Sequence, residues 1–347
     1  MNLHRMIKKH LLNRSVLSYG LYPLSLIYAM IIKIRRCWYS DKAYQCSNIK
    51  LICVGNISSG GTGKTPFVIF LAKYLQSIGL KPAIISRGYK GAFEHQNKII
   101  CDEYGLRPEA SLAGDEPYLI ARHLKNTLII VGKNRIHSLK IIKKQKSIPD
   151  IVIFDDAFQH VKIRYDYTFL VFNGEKPVGN GFNLPAGILR EPVSHTKLAD
   201  FLVYNAYESI PSVLKQFEKP VLRVQYQITC LTDIHGNVIS DLTQRKIALL
   251  SAIGVPAAFE KTIRHMNISF DKHYIYPDHY AFNDMNEIEK IRQTITDSKT
   301  DYIICTEKDF SKLEKIAHNL PLLIACSEFK LASEDYAFLN LTFKTNK

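Results

Sequence analysis

The chain has 347 residues, enough for about two domains, and 46% of them are apolar while 22% are charged. This composition is typical of a folded protein and excludes a largely disordered chain. The formal net charge of +14 is uneven, because residues 1–50 hold nine Lys or Arg and only one acid. A basic excess of this kind fits nucleic acid, anionic lipid or a phosphorylated substrate.

The first predicted element is an apolar segment with basic flanks, residues 15–32, "SVLSYGLYPLSLIYAMII". As a helix it would span about 27 Å, close to the hydrocarbon thickness of a bilayer. Gly20 and Pro23 are expected to interrupt it, and no secretory cleavage site follows. We predict an interfacial helix or short anchor at an anionic membrane; a helix packed on the protein's own core is the alternative. No nucleic-acid motif accompanies the charge.

The seven cysteines include no C-x-x-C pair and no metal-ligand spacing with histidine. Scattered, odd-numbered cysteines are typical of a reducing compartment, so we predict a cytosolic chain, either free or held at a membrane face.

From Lys50 onward, apolar runs alternate with amphipathic segments, the pattern of an α/β protein with a mainly parallel sheet. A possible strand pair with a turn at His235–Asn237 predicts a linker or hinge between two α/β lobes. The predicted strands of the first lobe are 50–55, 82–88, 126–132, 150–156 and 168–173. The predicted domains are a membrane-associated segment 1–40, a nucleotide-binding lobe 41–218, a two-stranded linker 219–240 and a second α/β lobe 241–347.

The stretch "GNISSGGTGKTPF", 55–67, has the strand–loop–helix context of a phosphate-binding loop. Ser58 stands where the pattern G-x-x-x-x-G-K-[ST] has its first glycine. Lys64 is predicted to reach the β- and γ-phosphates, and the Thr65 hydroxyl to bind Mg²⁺. The residues expected to hold ATP are Ser58, Ser59, Gly60, Gly61, Thr62, Gly63, Lys64 and Thr65.

Acidic and basic side chains downstream complete a candidate site. Asp155 ends an apolar strand, as a carboxylate that holds Mg²⁺ in a P-loop NTPase does, and Asp156 follows it. Asp115, in "GDEP", precedes a helical segment and is either a helix cap or a proton acceptor. Arg190 and Glu191 form either a surface ion pair or a phosphate- and metal-binding pair. His279, in "PDHY", is either structural or part of an acid–base pair.

Seven ordered signatures resemble the tetraacyldisaccharide 4′-kinase family of the lipid A pathway, over about nine-tenths of the chain. They are "VGNISSGGTGKTP", "SRGYKG", "GDEP", "DDAFQH", "GNGFNLPAGILREP", "PDHYAF" and "TEKD". The resemblance implies transfer of the γ-phosphate of ATP, with Mg²⁺, to the 4′-hydroxyl of an acylated glucosamine disaccharide 1-phosphate. It implies two α/β/α lobes, the first P-loop NTPase-like, joined by a two-stranded β linker, with an N-terminal membrane-associated helix. The expected location is the cytoplasmic face of the bacterial inner membrane, with a lipid substrate and neither a nucleic-acid nor a protein partner.

The resemblance also implies roles for single residues. Asp115 matches the proposed catalytic base and His279 the histidine paired with it, while Arg135 matches an arginine near the transferred phosphate. Lys64 and Thr65 keep their loop roles. Acids matching the Mg²⁺ site are Asp155, Asp156 and Glu191, with Gln159 and Arg190 as expected neighbours.

Three positions depart from the common family pattern: Lys90 and Ala157 stand where glycine is usual, and Ile188 where proline is usual. They put the geometry of the loops in question and leave the reaction unchanged. Two other classes stay open. One is a soluble P-loop kinase acting on a small sugar or nucleotide. The other is a non-catalytic ATP switch, whose loop would carry a lysine at the position of Ser59.

Overall fold

The structure is a computed structural model, and the chain divides into two compact units. The first comprises residues 1–225 and 330–347, and the second comprises residues 226–329. The predicted boundaries near residues 40, 218 and 240 stay predictions; the return of 330–347 to the first unit comes from the tertiary structure. The residues that the structure describes are 11–124, 126–174, 176–205, 209–277, 280, 282, 289, 292–293, 299–314 and 320–344.

The first unit is built on one sheet in the order β9–β8–β7–β1–β6–β2–β5–β3–β4. From β9 to β5 every described pairing is parallel, and the edge strands β3 and β4 are antiparallel. The strands are β1 (Lys50–Gly55), β2 (Pro82–Ser86), β3 (Lys98–Asp102), β4 (Gly105–Leu106), β5 (Leu128–Val131), β6 (Ile151–Asp155), β7 (Tyr167–Asn173), β8 (Phe201–Asn205) and β9 (Val221–Thr232).

Apart from the C-terminal helix, the described helices of this unit lie before β1 or between later strands of the chain. They are α1 (Val16–Ser40), α2 (Lys64–Ser77), α3 (Asp115–His123), α4 (Arg135–Ile142) and α5 (Ser212–Lys215), with the C-terminal helix packing alongside them. The predicted mainly parallel α/β fold is confirmed.

The central strands β1, β2 and β6 are buried along almost their whole length, which explains their continuous apolar sequences. Because they are parallel neighbours, their carboxyl ends lie at one edge of the sheet, where Gly55, Ser86 and Asp155 come together. This edge is where an open α/β sheet binds its ligand.

Helix α1 is one continuous helix of 25 residues, so the predicted interruption at Gly20 and Pro23 is wrong. Ser15 caps it, and its side chain accepts the Ser18 N–H at 3.2 Å. Among the described residues it is the helix long and apolar enough to cross a membrane. Its buried positions are serines, with Ser25 at 2% exposure, whereas large apolar side chains such as Trp38, at 64%, are exposed.

The second unit carries the parallel strands β10 (Ile247–Ser251), β11 (Lys272–Ile275), β12 (Tyr302–Thr306) and β13 (Leu322–Leu331) in the order β11–β10–β12–β13. Among its described residues, the second unit has the helices α6 (Pro256–His265) and α7 (Glu307–Leu313). Helix α8 (Tyr336–Phe343) lies in the C-terminal segment, which belongs to the first unit.

The predicted hairpin after residue 219 is present only as a short turn. The Asp233 carboxylate accepts backbone N–H groups of His235 and Asn237, and one antiparallel bridge joins Thr232 to Val238. The strand that lies beside β9 is instead β13, about ninety residues later in the chain. The chain thus passes between its units along β9 and β13, a pairing that no local turn signal reveals.

Candidate active site

The glycine-rich loop lies between the end of β1 and the start of α2, as predicted. Gly60 and Gly63 have φ values of 108° and 89°, a region that favours glycine. A Cβ added at Gly60 or Gly61 would meet nothing within 4 Å, so the space beside the loop is open. Lys64 and Thr65 begin α2, where the positive end of the helix dipole favours a phosphate.

The two serines at the start of the loop are held by another loop of the protein. Ser58 forms an antiparallel bridge with Leu189, and the Ser59 N–H donates to the Ile188 carbonyl at 2.8 Å. The Ser59 hydroxyl donates to the same carbonyl at 3.0 Å. Both serines therefore bind the 188–189 segment in this structure, and the open phosphate cradle is formed by residues 60–65.

One carboxylate faces two cations beside this loop. Asp156 lies 3.5 Å from Lys64 Nζ and 3.2 Å from Arg190 Nη2. Burial raises the pKa of Asp156, but Lys64 and Arg190 outweigh it and hold that pKa below its ordinary value. Asp156 has a φ of 47°, a strained conformation of the kind found at functional sites.

Asp155 ends β6 and is buried, and its Oδ2 accepts the Ser86 hydroxyl at 3.2 Å. Its Oδ1 is buried without a hydrogen-bond partner. Burial, reinforced by Glu116 and Asp156, raises the pKa of Asp155 to about 7. A buried carboxylate oxygen without a partner beside a phosphate loop fits a cation ligand.

Within the described part of the chain, no group of three or more His, Cys, Asp or Glu side chains could hold a metal by itself. Mg²⁺ commonly binds through one or two carboxylates, keeps several waters and takes its other ligands from substrate phosphates. Asp155 together with the Thr65 hydroxyl fits that donor set.

Asn56 is a residue that the sequence interpretation missed. Its Nδ2 donates to Thr62 Oγ1 at 3.1 Å, and its Oδ1 accepts from Arg190 Nη2. Its carbonyl accepts from Gln159 Nε2 at 2.8 Å, and the side chain is fully buried. Asn56 thus links the phosphate loop to both downstream motifs. An asparagine directly after an apolar strand, in "VGNISS", is the sequence signal that could have found it.

Glu191 contacts α1 and a histidine of its own segment. Both of its oxygens are bound by Arg36 of α1, at 2.9 and 3.0 Å, and His195 Nδ1 lies 2.6 Å from Oε2. Burial raises the pKa of Glu191, but the hydrogen bonds from His195 and Arg36 outweigh it and lower that pKa. In this structure Glu191 is thus an ion-pair partner of Arg36, and its role as a metal ligand stays a prediction.

Arg135 contacts the strand end that carries Asp155, and its predicted place near the transferred phosphate stays a prediction. It begins α4, is 3% exposed, and donates from Nη2 to the Asp155 carbonyl at 3.2 Å. Burial lowers the pKa of this guanidinium from its very high ordinary value. Arg135 therefore lies behind the end of β6 and supports Asp155.

Asp115 is the first residue of α3 and follows Gly114, which has a φ of 103°. Helix α3 packs against α2, and the charge of Glu116 acts on Asp155, so the start of α3 faces the same edge of the sheet. His279, the predicted partner of Asp115, lies outside the described residues.

Of the three departures from the family pattern, Lys90 has a structural consequence. It adopts a φ of 61°, the left-handed conformation that glycine enters without strain.

A parallel α/β sheet with a glycine-rich loop, a lysine and threonine at the following helix, and acids ending the neighbouring strand defines the class of P-loop nucleotide-binding enzymes. The family model described as tetraacyldisaccharide-1-P 4′-kinase matches residues 17–342. The chain belongs to this kinase family, and the predicted lipid A kinase function with ATP is confirmed.

Relatives and a solved structure agree with this assignment. The tetraacyldisaccharide 4′-kinase of Legionella pneumophila strain Corby is 36% identical over 301 residues, covering 85% of this chain and 84% of the relative. The tetraacyldisaccharide 4′-kinase of Pelobacter propionicus is 31% identical over 321 residues, covering 88% and 86%. The crystal structure of an "apo" form of LpxK from Aquifex aeolicus in complex with ATP is 28% identical, with a TM-score of 0.75, and covers 94% of this chain and 99% of that one.

Proposed function

We propose that the residues around the phosphate loop transfer the γ-phosphate of ATP to the 4′-hydroxyl of a membrane-borne acylated glucosamine disaccharide 1-phosphate. The observation that carries the proposal is the meeting of Lys64, Asp156 and Arg190 beside an open glycine loop, in a chain of this kinase family. Phosphoryl transfer needs little covalent help from the protein, so positioning and charge neutralisation are what these residues supply.

Lys64 and Arg190 are the cations closest to the loop. Asp156 forms an ion pair with each of them in this structure. We propose that they turn toward the phosphate oxygens when ATP occupies the loop, and that Asp156 keeps them in place before that. Thr65 and Asp155 would hold Mg²⁺, which neutralises developing charge on the phosphate oxygens. Asp155 must lose its proton to do so, against the burial that raises its pKa.

Asp115 is proposed to accept the proton of the attacking hydroxyl. Asp115 is the first residue of α3, which starts at the edge of the sheet that carries Asp155 and the phosphate loop. We keep His279 as its proposed partner on the strength of the family resemblance alone.

The membrane part of the proposal is supported by α1. Its exposed face carries large apolar side chains, among them Ile31, Ile34 and Trp38, while its polar side contacts the protein: Ser25 Oγ donates to the Asn183 carbonyl at 2.8 Å. This is the reverse of a helix packed on a soluble core. We propose that this face enters the cytoplasmic side of the inner membrane and brings the site to its lipid substrate.

A transfer assay with radiolabelled ATP and the tetraacyldisaccharide 1-phosphate in detergent micelles tests the function. Asp115→Asn should lower kcat by at least about 100-fold, because general-base catalysis contributes about 10²–10⁴-fold, while ATP binding stays near that of the wild type. Glu109→Gln, which removes an exposed carboxylate outside the site, is the matched control.

A fully active Asp115→Asn variant would remove Asp115 from the chemistry. Transfer to a water-soluble sugar but not to the lipid would instead support the soluble-kinase alternative. ATP hydrolysis without transfer to any acceptor would support the ATP-switch alternative.

A further inference from the structure

One arginine of the membrane helix contacts two loops of the active site. Arg36 donates from Nε and Nη2 to the two oxygens of Glu191, at 2.9 and 3.0 Å. The same Nη2 donates to the Phe158 carbonyl at 2.8 Å, and the guanidinium lies 4.3 Å from the centre of the Phe158 ring. A lysine could not reproduce this planar, forked set of contacts.

The contact is buried on the side of the active site. The Glu191 side chain is 1% exposed and that of Arg36 is 18% exposed. Removing one partner of such a pair leaves a buried charge uncompensated, and the segment that carries it must move to reach solvent or another partner. His195 offers Glu191 a second contact at 2.6 Å, but it lies only four residues along the same segment and does not tie the segment to α1.

Both contacted loops carry residues of the site. Glu191 follows Arg190, whose N–H donates to the Ile57 carbonyl at 2.7 Å and whose side chain faces Asp156. Phe158 lies two residues after Asp156, and its Cβ and backbone fill the space that a side chain at Gly55 would need. Arg36 therefore ties the loop of Arg190 and the loop of Asp156 to one point on α1.

A second contact from α1 reaches the same segment. The Tyr28 hydroxyl donates to the Arg190 carbonyl at 3.1 Å, two helical turns before Arg36. The backbone of residues 190–191 is thus held by α1 on one side and by Ile57, just before the phosphate loop, on the other.

We propose that Arg36 is a positioning residue for phosphoryl transfer: it holds the 190–191 segment against the phosphate loop and so sets the places of Arg190 and Asp156. The inference rests on the proposed function. It gives Glu191 a role as the residue that anchors α1 to the 190–191 segment. It also makes the docking of α1 part of the active-site geometry and not only a means of reaching the bilayer.

Arg35 offers a matched control. It lies next to Arg36 on α1, carries the same charge, is exposed, and forms no hydrogen bond or ion pair with the described residues. In the micelle assay we expect Arg36→Gln to lower kcat by up to about 100-fold, because misplacing reacting groups by about 1 Å costs about that much, with KM for ATP changing much less. Arg36→Lys should lose most of this activity, and Arg35→Gln should match the wild type. Methylguanidinium should restore part of kcat to Arg36→Ala and none to Asp115→Asn.

Amide hydrogen exchange of the full chain gives a readout that needs no lipid acceptor. Arg36→Gln should speed exchange in peptides covering 186–193 and 155–162, and Arg35→Gln should not, with both variants melting as cooperatively as the wild type. Equal kcat and equal exchange for the two variants would overturn the proposal. A wild-type chain that fails to phosphorylate the lipid would refute the proposed function instead, and the exchange comparison would still decide whether Arg36 holds the two loops.

Discussion

Asp155 gives the sharpest test of the site, because ionising this buried carboxylate destabilises the folded chain, and its proposed role as a Mg²⁺ ligand would explain why it is kept. Burial beside Asp156 and Glu116 raises its pKa from 3.8 to about 7. At about 1.4 kcal/mol for each pKa unit, keeping this side chain ionised costs the folded state about 4 kcal/mol above pH 7. Asp155→Asn removes that cost, but places an amide N–H2 where Oδ1 has no partner, at about 1–3 kcal/mol. The variant should therefore be more stable than the wild type by about 1–3 kcal/mol at pH 8 without nucleotide.

The pH dependence follows from the sign of the shift. Because the folded pKa is raised, the cost is absent below the unfolded pKa of about 4, grows as the pH rises, and is complete above about 7. Because the amide penalty of about 1–3 kcal/mol remains at every pH while the cost of ionisation is absent at pH 4, Asp155→Asn should be more stable than the wild type at pH 8 and less stable at pH 4.

Thermal unfolding in micelles at several pH values measures this difference, with and without Mg²⁺ and a non-hydrolysable ATP analogue. The wild type should gain about 3 kcal/mol from ligand at a hundred times its Kd, while the variant should gain little, so the order of stability reverses. A variant that is less stable at pH 8, or whose gain does not change with pH, would refute the reasoning that Asp155 is a buried, cation-dependent carboxylate.

Two further predictions concern the membrane face and a strained loop. Ile34→Glu places a charge on the exposed face of α1 and should lower binding to anionic vesicles by at least about tenfold in a flotation assay, since a charge in the bilayer costs about 2.5–3.5 kcal/mol. The control is Ile148→Glu, at an isoleucine of similar exposure. Equal losses of binding for the two variants would argue against insertion of α1. Lys90→Gly should raise the free energy of unfolding by up to about 1 kcal/mol, because it relieves a left-handed backbone at φ 61°. The control Lys133→Gly should lower the free energy of unfolding. A lower free energy of unfolding for Lys90→Gly would show that the strain at position 90 is already compensated.

The phosphate loop illustrates how much the local sequence specifies. Strand β1, the turn glycines and the start of α2 at Lys64 lie within fifteen residues, and each follows from its own residue types: buried apolar residues, residues free to take positive φ, and a helix former. The same holds for Asp155 at the end of β6, because an apolar run followed by an acid ends a strand wherever it occurs. The fold class, the nucleotide site and the family were accessible for this reason.

The partners of these residues were decided by the tertiary structure alone. That Arg36, 155 residues before Glu191, binds both oxygens of that carboxylate could not be read from either segment alone. The continuity of α1 likewise depends on contacts with residues 180–191, such as the hydrogen bond from the Ser25 hydroxyl to the Asn183 carbonyl. These contacts offset the local penalty of Pro23. Hydrophobic periodicity and turn chemistry act over a few residues, so the sequence by itself determined the elements and the type of site. Which side chains face each other depends on chain segments far apart, and only the folded chain decided that Ser58 pairs with Leu189, Glu191 with Arg36, and Lys64 with Asp156.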